Sequence, residues 1–320
     1  MPKISIITTT YKHQDYISQT IESILCQTFT DWELLIGDDS PDDETWNIIQ
    51  SYVEKYPDKI KARHNSPNKG IVGNMNFVLE KVSNESEYIA FLEGDDIFTS
   101  DNLEEKIKIF EKYSEVGLVY NNLDFINGNL EIFYSNALRK APYYLKNQKL
   151  SKLDLMKYET FYVSYSTLMI KKEILEKEKI VNPTDDKLYS VSDWDLFFRI
   201  STQYNCYGIE ESFTLYRRHD CNISSNNLKL FNDLEIQINE YLKNGFINEY
   251  LFNIKLSFIY LLKSVAYLEK SDKKNCFVCL INSIKLSHFT NIVYKIGIFI
   301  INLLPKKVIK YILKKLIKRG

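Results

Sequence analysis

Short apolar runs recur through the first 120 residues, and each breaks off in a polar loop before an amphipathic segment begins. The runs are Ile4 to Ile7, Trp32 to Ile36, Ile60 to His64, Tyr88 to Leu92 and Gly117 to Tyr120. Runs this short, bounded by turn signals, fit strands buried on both faces. Between them apolar residues recur at helical spacing, as in Ile17, Ile21 and Ile24, in Trp46, Ile49 and Val53, and in Leu103, Ile107 and Phe110. Strict strand–helix alternation predicts a parallel sheet with helices on both faces. Asp15, Asp42 or Asp43, and Ser192 or Asp193 stand where helix caps are expected.

The fourth run ends most abruptly, in Glu93, Gly94, Asp95 and Asp96. Open α/β sheets bind ligands outside the carboxyl ends of their strands, which is where this turn should lie. Carboxylates so close together repel one another unless a cation sits among them. Mg²⁺ and similar hard cations are held by one or two carboxylates plus substrate phosphates. The same rim should gather Thr9, Tyr11, Asp38 and Asp39 from the first two strands.

Past residue 120 the alternation loosens. Phe161 to Ile170 and Ser212 to His219 read as strands, and Ser192 opens a helix. From about 226 the chain reads as helical through Leu286, without a catalytic constellation. Charge is divided unevenly: residues 273–320 hold eleven Lys or Arg and no acid, while the preceding 272 residues sum to −12. After Pro305, Val308, Ile309, Ile312, Leu313, Leu316 and Ile317 share one helical face, opposite Lys307, Lys310, Lys314 and Lys318. Such a basic amphipathic helix suits an anionic membrane surface. The stretch before it, Phe289 to Leu304, is too short and too interrupted to span a bilayer. The five cysteines form no disulfide pattern, Cys276 and Cys279 read as buried apolar residues, and the chain opens on a strand without a leader. Together these predict a cytoplasmic protein attached peripherally to the inner face of the cell membrane.

Several motifs taken together resemble family 2 glycosyltransferases, inverting enzymes with the nucleotide-sugar-binding GT-A fold. They are Ile4 to Tyr11, Ile21 to Phe29 and Trp32 to Ser40, followed by Asn68 to Gly70 with Asn76, the Glu93–Asp96 turn, Ser192 to Leu196 and Tyr216 to His219. The resemblance covers about 1–225, which it implies is a catalytic domain with a Rossmann-like mixed sheet. A helical region, 226–320, would follow. It implies that Thr9 and Tyr11 line the base pocket, that Asp39 binds the uracil ring, and that Asp95 and Asp96 hold ribose and a divalent metal, Mn²⁺ or Mg²⁺. It further implies that Asp193 is the catalytic base and that His219 reaches the metal or diphosphate. Glu93 stands where many members have Asp, Met75 where many have Arg, and Lys12 where Asn is usual. The likeness is greatest to bacterial transferases that build surface polysaccharides. The implied enzyme is a metal-dependent hexosyltransferase using a UDP-linked sugar and a glycan or lipid-linked acceptor, with no nucleic-acid partner. A sugar-nucleotide-binding protein of the same fold without turnover, and a phosphate-accepting receiver module, are the competing readings. Candidates for both metal and base argue against the first. Chain length and the Thr-rich first loop argue against the second.

Overall fold

The structure is a computed structural model and describes residues 2–137, 146–157, 163–181, 183–184, 189–220, 222 and 226–286. The basic amphipathic segment after Pro305 and the stretch from Phe289 to Leu304 lie outside the described residues. Two compact units emerge, one from 1–151 with 160–222 and one from 152–159 with 223–320.

The larger unit holds β1 (Ile4–Thr10), α1 (Ile17–Leu25), β2 (Trp32–Asp38), α2 (Glu44–Lys55), β3 (Ile60–His64), α3 (Gly70–Leu79) and β4 (Tyr88–Phe91). Next come β5 (Ile97–Phe98), α4 (Asn102–Lys112), β6 (Val116–Ile126), β7 (Ile132–Tyr134) and β8 (Lys146–Gln148). The strands run in the order β3, β2, β1, β4, then β9 (Leu168–Lys171), β6, β10 (Asn205–Arg217) and β5. The first four strands are parallel, as the alternation predicts. The sheet as a whole is mixed, because β9 runs antiparallel between β4 and β6. The strand expected at Phe161 to Ile170 is shorter, a 3-10 turn at Tyr165–Thr167 leading into β9. The last strand begins earlier than the sequence suggests, at Asn205, because its first half pairs in parallel with β6.

Alternation within each strand decides which helix covers which face. Ile4 and Ile6 of β1, with Leu34 and Ile36 of β2, join Ile17, Ile21, Ile49, Leu103 and Ile107 in one buried cluster, so α1, α2 and α4 cover that face. Each fully buried Ile or Leu contributes about 1.5–3 kcal/mol relative to exposure. On the opposite face Gly37 leaves room for α3. A Cβ there would meet Asn74 Oδ1 at 2.2 Å and Val78 Cγ2 at 2.5 Å. Among the described residues this unit also holds α6 (Lys172–Glu178) and α7 (Ser192–Gln203).

Register carries the strand ends to a common rim. Thr9 lies opposite Gly37 and Thr10 opposite Asp38, while Ile7 lies opposite Phe91 just before the acidic turn. β5 then pairs with β10, Ile97 against Leu215. That crossing brings the chain after β10, including His219, back to the turn.

The smaller unit contains α5 (Lys152–Lys157), α8 (Asn227–Lys243), α9 (Glu249–Glu269) and α10 (Lys273–Leu286). Phe258, Leu261 and Leu268 of α9 pack with Cys276 and Leu280 of α10. Ser257 and Ser283 each donate to the other's carbonyl, at 2.8 and 2.6 Å, fixing the crossing of these helices. Cys276 and Cys279 are buried free thiols. By length and composition α9 could cross a membrane, but 61% of its apolar window is buried inside the protein.

Candidate active site

The acidic turn is held from several directions. Leu92 N–H donates to Ile7 O, and Gly94 N–H to Thr9 O, tying the turn to the end of β1. Thr20 of α1 donates its hydroxyl to Gly94 O and Asp96 O. Glu93 N–H donates to Ser166 Oγ, whose own hydroxyl donates to Asp96 Oδ2 at 2.6 Å. Arg217, fully buried, donates its backbone N–H to Asp96 Oδ1 at 2.9 Å and its Nε to Asp95 O at 2.7 Å. Its guanidinium also reaches Gln19 Oε1 and lies over the Tyr16 ring.

These contacts separate the two aspartates. Both oxygens of Asp96 are engaged by Ser166 and Arg217, so its carboxylate anchors the turn to its neighbours. Burial, then the charges of Asp95 and Glu93, raise its pKa well above the ordinary carboxylate value. Asp95 instead meets His219, 124 residues away in sequence, with Nε2 at 2.9 Å from Oδ2. Asn222 Nδ2 donates to the same oxygen at 3.2 Å, and Asn222 Oδ1 accepts from His219 N–H at 2.6 Å. His13 Nε2 lies 3.9 Å from that oxygen. Burial pushes the Asp95 pKa up, but His13 and the His219 hydrogen bond outweigh it, leaving the carboxyl below its ordinary value. One ligand atom each from His13, Asp95 and His219 lie within 4.8 Å of one another. Two imidazoles and an ionised carboxylate form a donor set that fits a divalent cation.

Of the candidate metal residues, Asp95 and His219 therefore come together, and Asp96 does not join them. Sequence reading passed over His13, Ser166, Arg217 and Asn222. Arg217 lies inside the Tyr216–His219 motif and Asn222 three residues beyond it, but neither side chain carries a signal of its own that assigns it a task.

Asp39 lies on the same rim. Its carboxylate accepts from Asn65 Nδ2 at 2.8 Å, from Lys69 N–H at 3.0 Å and from Gly70 N–H at 2.8 Å. It therefore satisfies free N–H groups where α3 begins, a favourable place for an anion. Asp38 accepts from the Ser40 backbone and hydroxyl, and burial raises its pKa. Thr9 is half-buried at the end of β1, and Tyr11, just beyond it, is half-exposed.

Asp193 occupies the first turn of α7. Its Oδ1 accepts from Trp194 N–H at 2.7 Å, and burial pushes its pKa to about 7. Glu93 is driven to about 8 by burial, then by the charges of Asp95 and Asp193, against the hydrogen bond from Ser164. The two acids thus lie within electrostatic reach of each other. Asp195 is fully buried and paired with Arg199 at 2.9 Å, one helical turn on. Arg199 in turn holds the carbonyls of Glu178 and Lys179 at the end of α6. Asp195 is thereby tied into the scaffold, and the Asp193 carboxyl, with its pKa near 7, lies in the range suited to proton transfer near neutral pH.

Comparison with known proteins places this geometry in context. The family model described as glycosyl transferase family 2 matches residues 5–178. The chain is 30% identical over 228 residues to the Escherichia coli UDP-Glc:alpha-D-GlcNAc-diphosphoundecaprenol beta-1,3-glucosyltransferase WfgD, covering 71% of this chain and 81% of that protein. Its fold is similar to that of S. aureus TarS 1-349 in complex with UDP-GlcNAc, with a TM-score of 0.61 at 15% identity over 89% of this chain and 81% of that one. It is also similar to the mannosyltransferase PcManGT from Pyrobaculum calidifontis in complex with GDP-Man and Mn²⁺, with a TM-score of 0.55 at 15% identity over 94% and 87%.

Proposed function

Because the chain belongs to glycosyl transferase family 2 and has the GT-A fold, we propose that it is an inverting, metal-dependent hexosyltransferase. Its donor is a UDP-linked sugar, and its acceptor is a hydroxyl of a glycan or lipid-linked saccharide in bacterial surface-polysaccharide synthesis. The observation that carries this reading is the meeting of Asp95 with His219 and His13 on the rim where β1, β2 and β4 end. An Mn²⁺ or Mg²⁺ ion bound there supplies Lewis-acid stabilisation of the charge that develops on the leaving diphosphate. Thr9, Tyr11 and Asp39 line the nucleotide pocket, and Asp95 contributes to it from the acidic turn. Asp193 takes the proton from the acceptor hydroxyl as that oxygen attacks the anomeric carbon. Attack from the face opposite the leaving group inverts that centre without a covalent enzyme intermediate.

Titration calorimetry with UDP and Mn²⁺ tests the donor assignment. The wild-type protein should bind UDP and gain thermal stability from it. Asp39→Ala should weaken UDP binding by about 1–3 kcal/mol, the range for an unpaired buried polar group. The same change removes the carboxylate at the start of α3, which should cost about 0.5–2 kcal/mol of stability. A variant that melts lower but binds UDP like wild type would make Asp39 a helix anchor alone.

The basic segment at 273–320 supports peripheral attachment to the inner face of the cell membrane. Each Lys or Arg close to an anionic surface contributes about 1 kcal/mol. Full-length protein should float with anionic phospholipid vesicles at low salt, and deletion of 289–320 should abolish flotation while leaving UDP binding intact. Flotation unchanged by the deletion would remove the tail from this role.

A further inference from the structure

His13 is the one member of the rim cluster to which the family motifs give no task. It lies on the loop after β1, yet its Nε2 approaches the same Asp95 oxygen that His219 holds, at 3.9 Å. The two imidazoles stand nearly perpendicular, at 82°, with centroids 6.1 Å apart. At 3.9 Å His13 is too far for a hydrogen bond to Asp95. Its Nδ1 is buried without a hydrogen-bond partner. The local chain is nonetheless built to hold the ring in this place. Lys12, directly before it, has φ of 58°, in the left-handed region that side chains other than glycine rarely adopt, and Ser40 Oγ accepts its N–H at 2.8 Å. Gly94 lets the acidic turn close onto the ring, since a Cβ there would come within 3.0 Å of His13 Nδ1 and 2.7 Å of Thr10 Cβ.

We propose that His13 is a third protein ligand beside Asp95 and His219, and that the three select a transition-metal dication such as Mn²⁺ over Mg²⁺ before any nucleotide arrives. This rests on the dication site of the proposed function and extends it to ligand count and metal choice. The chemistry follows from the donors. Mg²⁺ takes oxygen ligands in near-ideal octahedral geometry and keeps most of its water. Imidazole nitrogen suits the first-row transition metals, and two imidazoles with one carboxylate leave open positions for a ligand's oxygens. A site with one carboxylate and no imidazole would depend on substrate phosphates to retain its ion. Three protein donors remove much of that dependence.

The test is Mn²⁺ binding to the full-length protein without nucleotide, followed by the electron paramagnetic resonance of free Mn²⁺, with Mg²⁺ as competitor. Wild type should bind one Mn²⁺ and resist a large excess of Mg²⁺. His13→Ala should weaken Mn²⁺ binding at least tenfold, since even residues that only support a ligand are worth about 10–100-fold. His13→Asp should restore Mn²⁺ binding and let Mg²⁺ compete, because an oxygen donor replaces a nitrogen. Wild-type Mn²⁺ affinity in His13→Ala, beside an inactive Asp95→Ala, overturns the inference and leaves the dication site standing. Failure of His13→Asp to restore binding also overturns it, because His13 would then act through shape alone. A wild-type protein that binds no Mn²⁺ with or without UDP removes the dication site itself.

Discussion

Asp193→Asn is expected to lower transfer to acceptor by about 10²–10⁴, the range for losing a general base, while UDP and Mn²⁺ binding stay near wild type. The side chain keeps its shape, and its amide oxygen can still accept the Trp194 N–H that Asp193 Oδ1 accepts now. What disappears is a group whose pKa burial has moved from 3.8 to about 7. An acid raised in this way is protonated and idle below pH 7, and becomes a base as pH rises through that value. The wild-type rate should therefore fall about tenfold per unit below pH 7, and the residual rate of Asp193→Asn should lack that limb. Asp195→Asn should act on thermal stability, because Asp195 fixes Arg199 to the end of α6. The measurement is transfer rate against pH at saturating donor for all three proteins. A dead Asp195→Asn beside a near-normal Asp193→Asn would reverse the assignment.

The sequence made the frame of this site legible and concealed its wiring. Apolar runs ending in polar loops located the rim, because strands buried on both faces leave only their ends for polar residues. The acidic turn after β4 was visible for the same reason. Which of its carboxylates faces the rim was not. That choice is made by Thr20, Ser166 and Arg217, which reach the turn from three distant segments. Nor could spacing show that β5 pairs with β10 and thereby returns His219 to Asp95. A lone His13 in a loop offers no periodicity to read.

Helix starts show the same limit on a smaller scale. Asp15, Asp42 or Asp43, and Ser192 or Asp193 look like caps; the cap positions of α1, α2 and α7 are Tyr16, Asp43 and Val191, so only Asp43 stands where expected, and none of the three makes a side-chain cap bond. Their ψ angles of −34°, 2° and 22° show a chain already turning before the helix begins. A capping side chain reaches the free N–H groups typically from an extended backbone. Asn248 has one, with ψ of 171°, and it does cap α9 by accepting from Leu251 N–H. Of these positions only Asp43 was legible in the sequence. The dihedral angle that makes a cap useful depends on how the preceding loop packs.

Asp95→Ala should abolish dication binding and reduce transfer by about 10³-fold or more, the equivalent of several kcal/mol of lost charge stabilisation. Asp95 is the oxygen donor on which His219 and His13 converge. Asp96 offers the informative contrast, because it sits in the same turn and bears the same side chain, yet faces different partners. Its oxygens already serve Ser166 Oγ and the Arg217 N–H. Asp96→Asn preserves an acceptor for Arg217 and can donate to Ser166, so it should retain Mn²⁺ binding and most of its transfer rate. Asp96→Ala leaves both partners unpaired in a buried setting, which should cost about 1–3 kcal/mol of stability for each unmet group. The decisive measurement pairs Mn²⁺ titration with thermal melting for the three variants. Asp95→Ala should lose the metal and keep most of its melting temperature, while Asp96→Ala should lose melting temperature first. If Asp95→Ala binds Mn²⁺ normally and Asp96→Asn does not, the ligand is Asp96, and the turn must rearrange on metal binding to release it from Ser166 and Arg217.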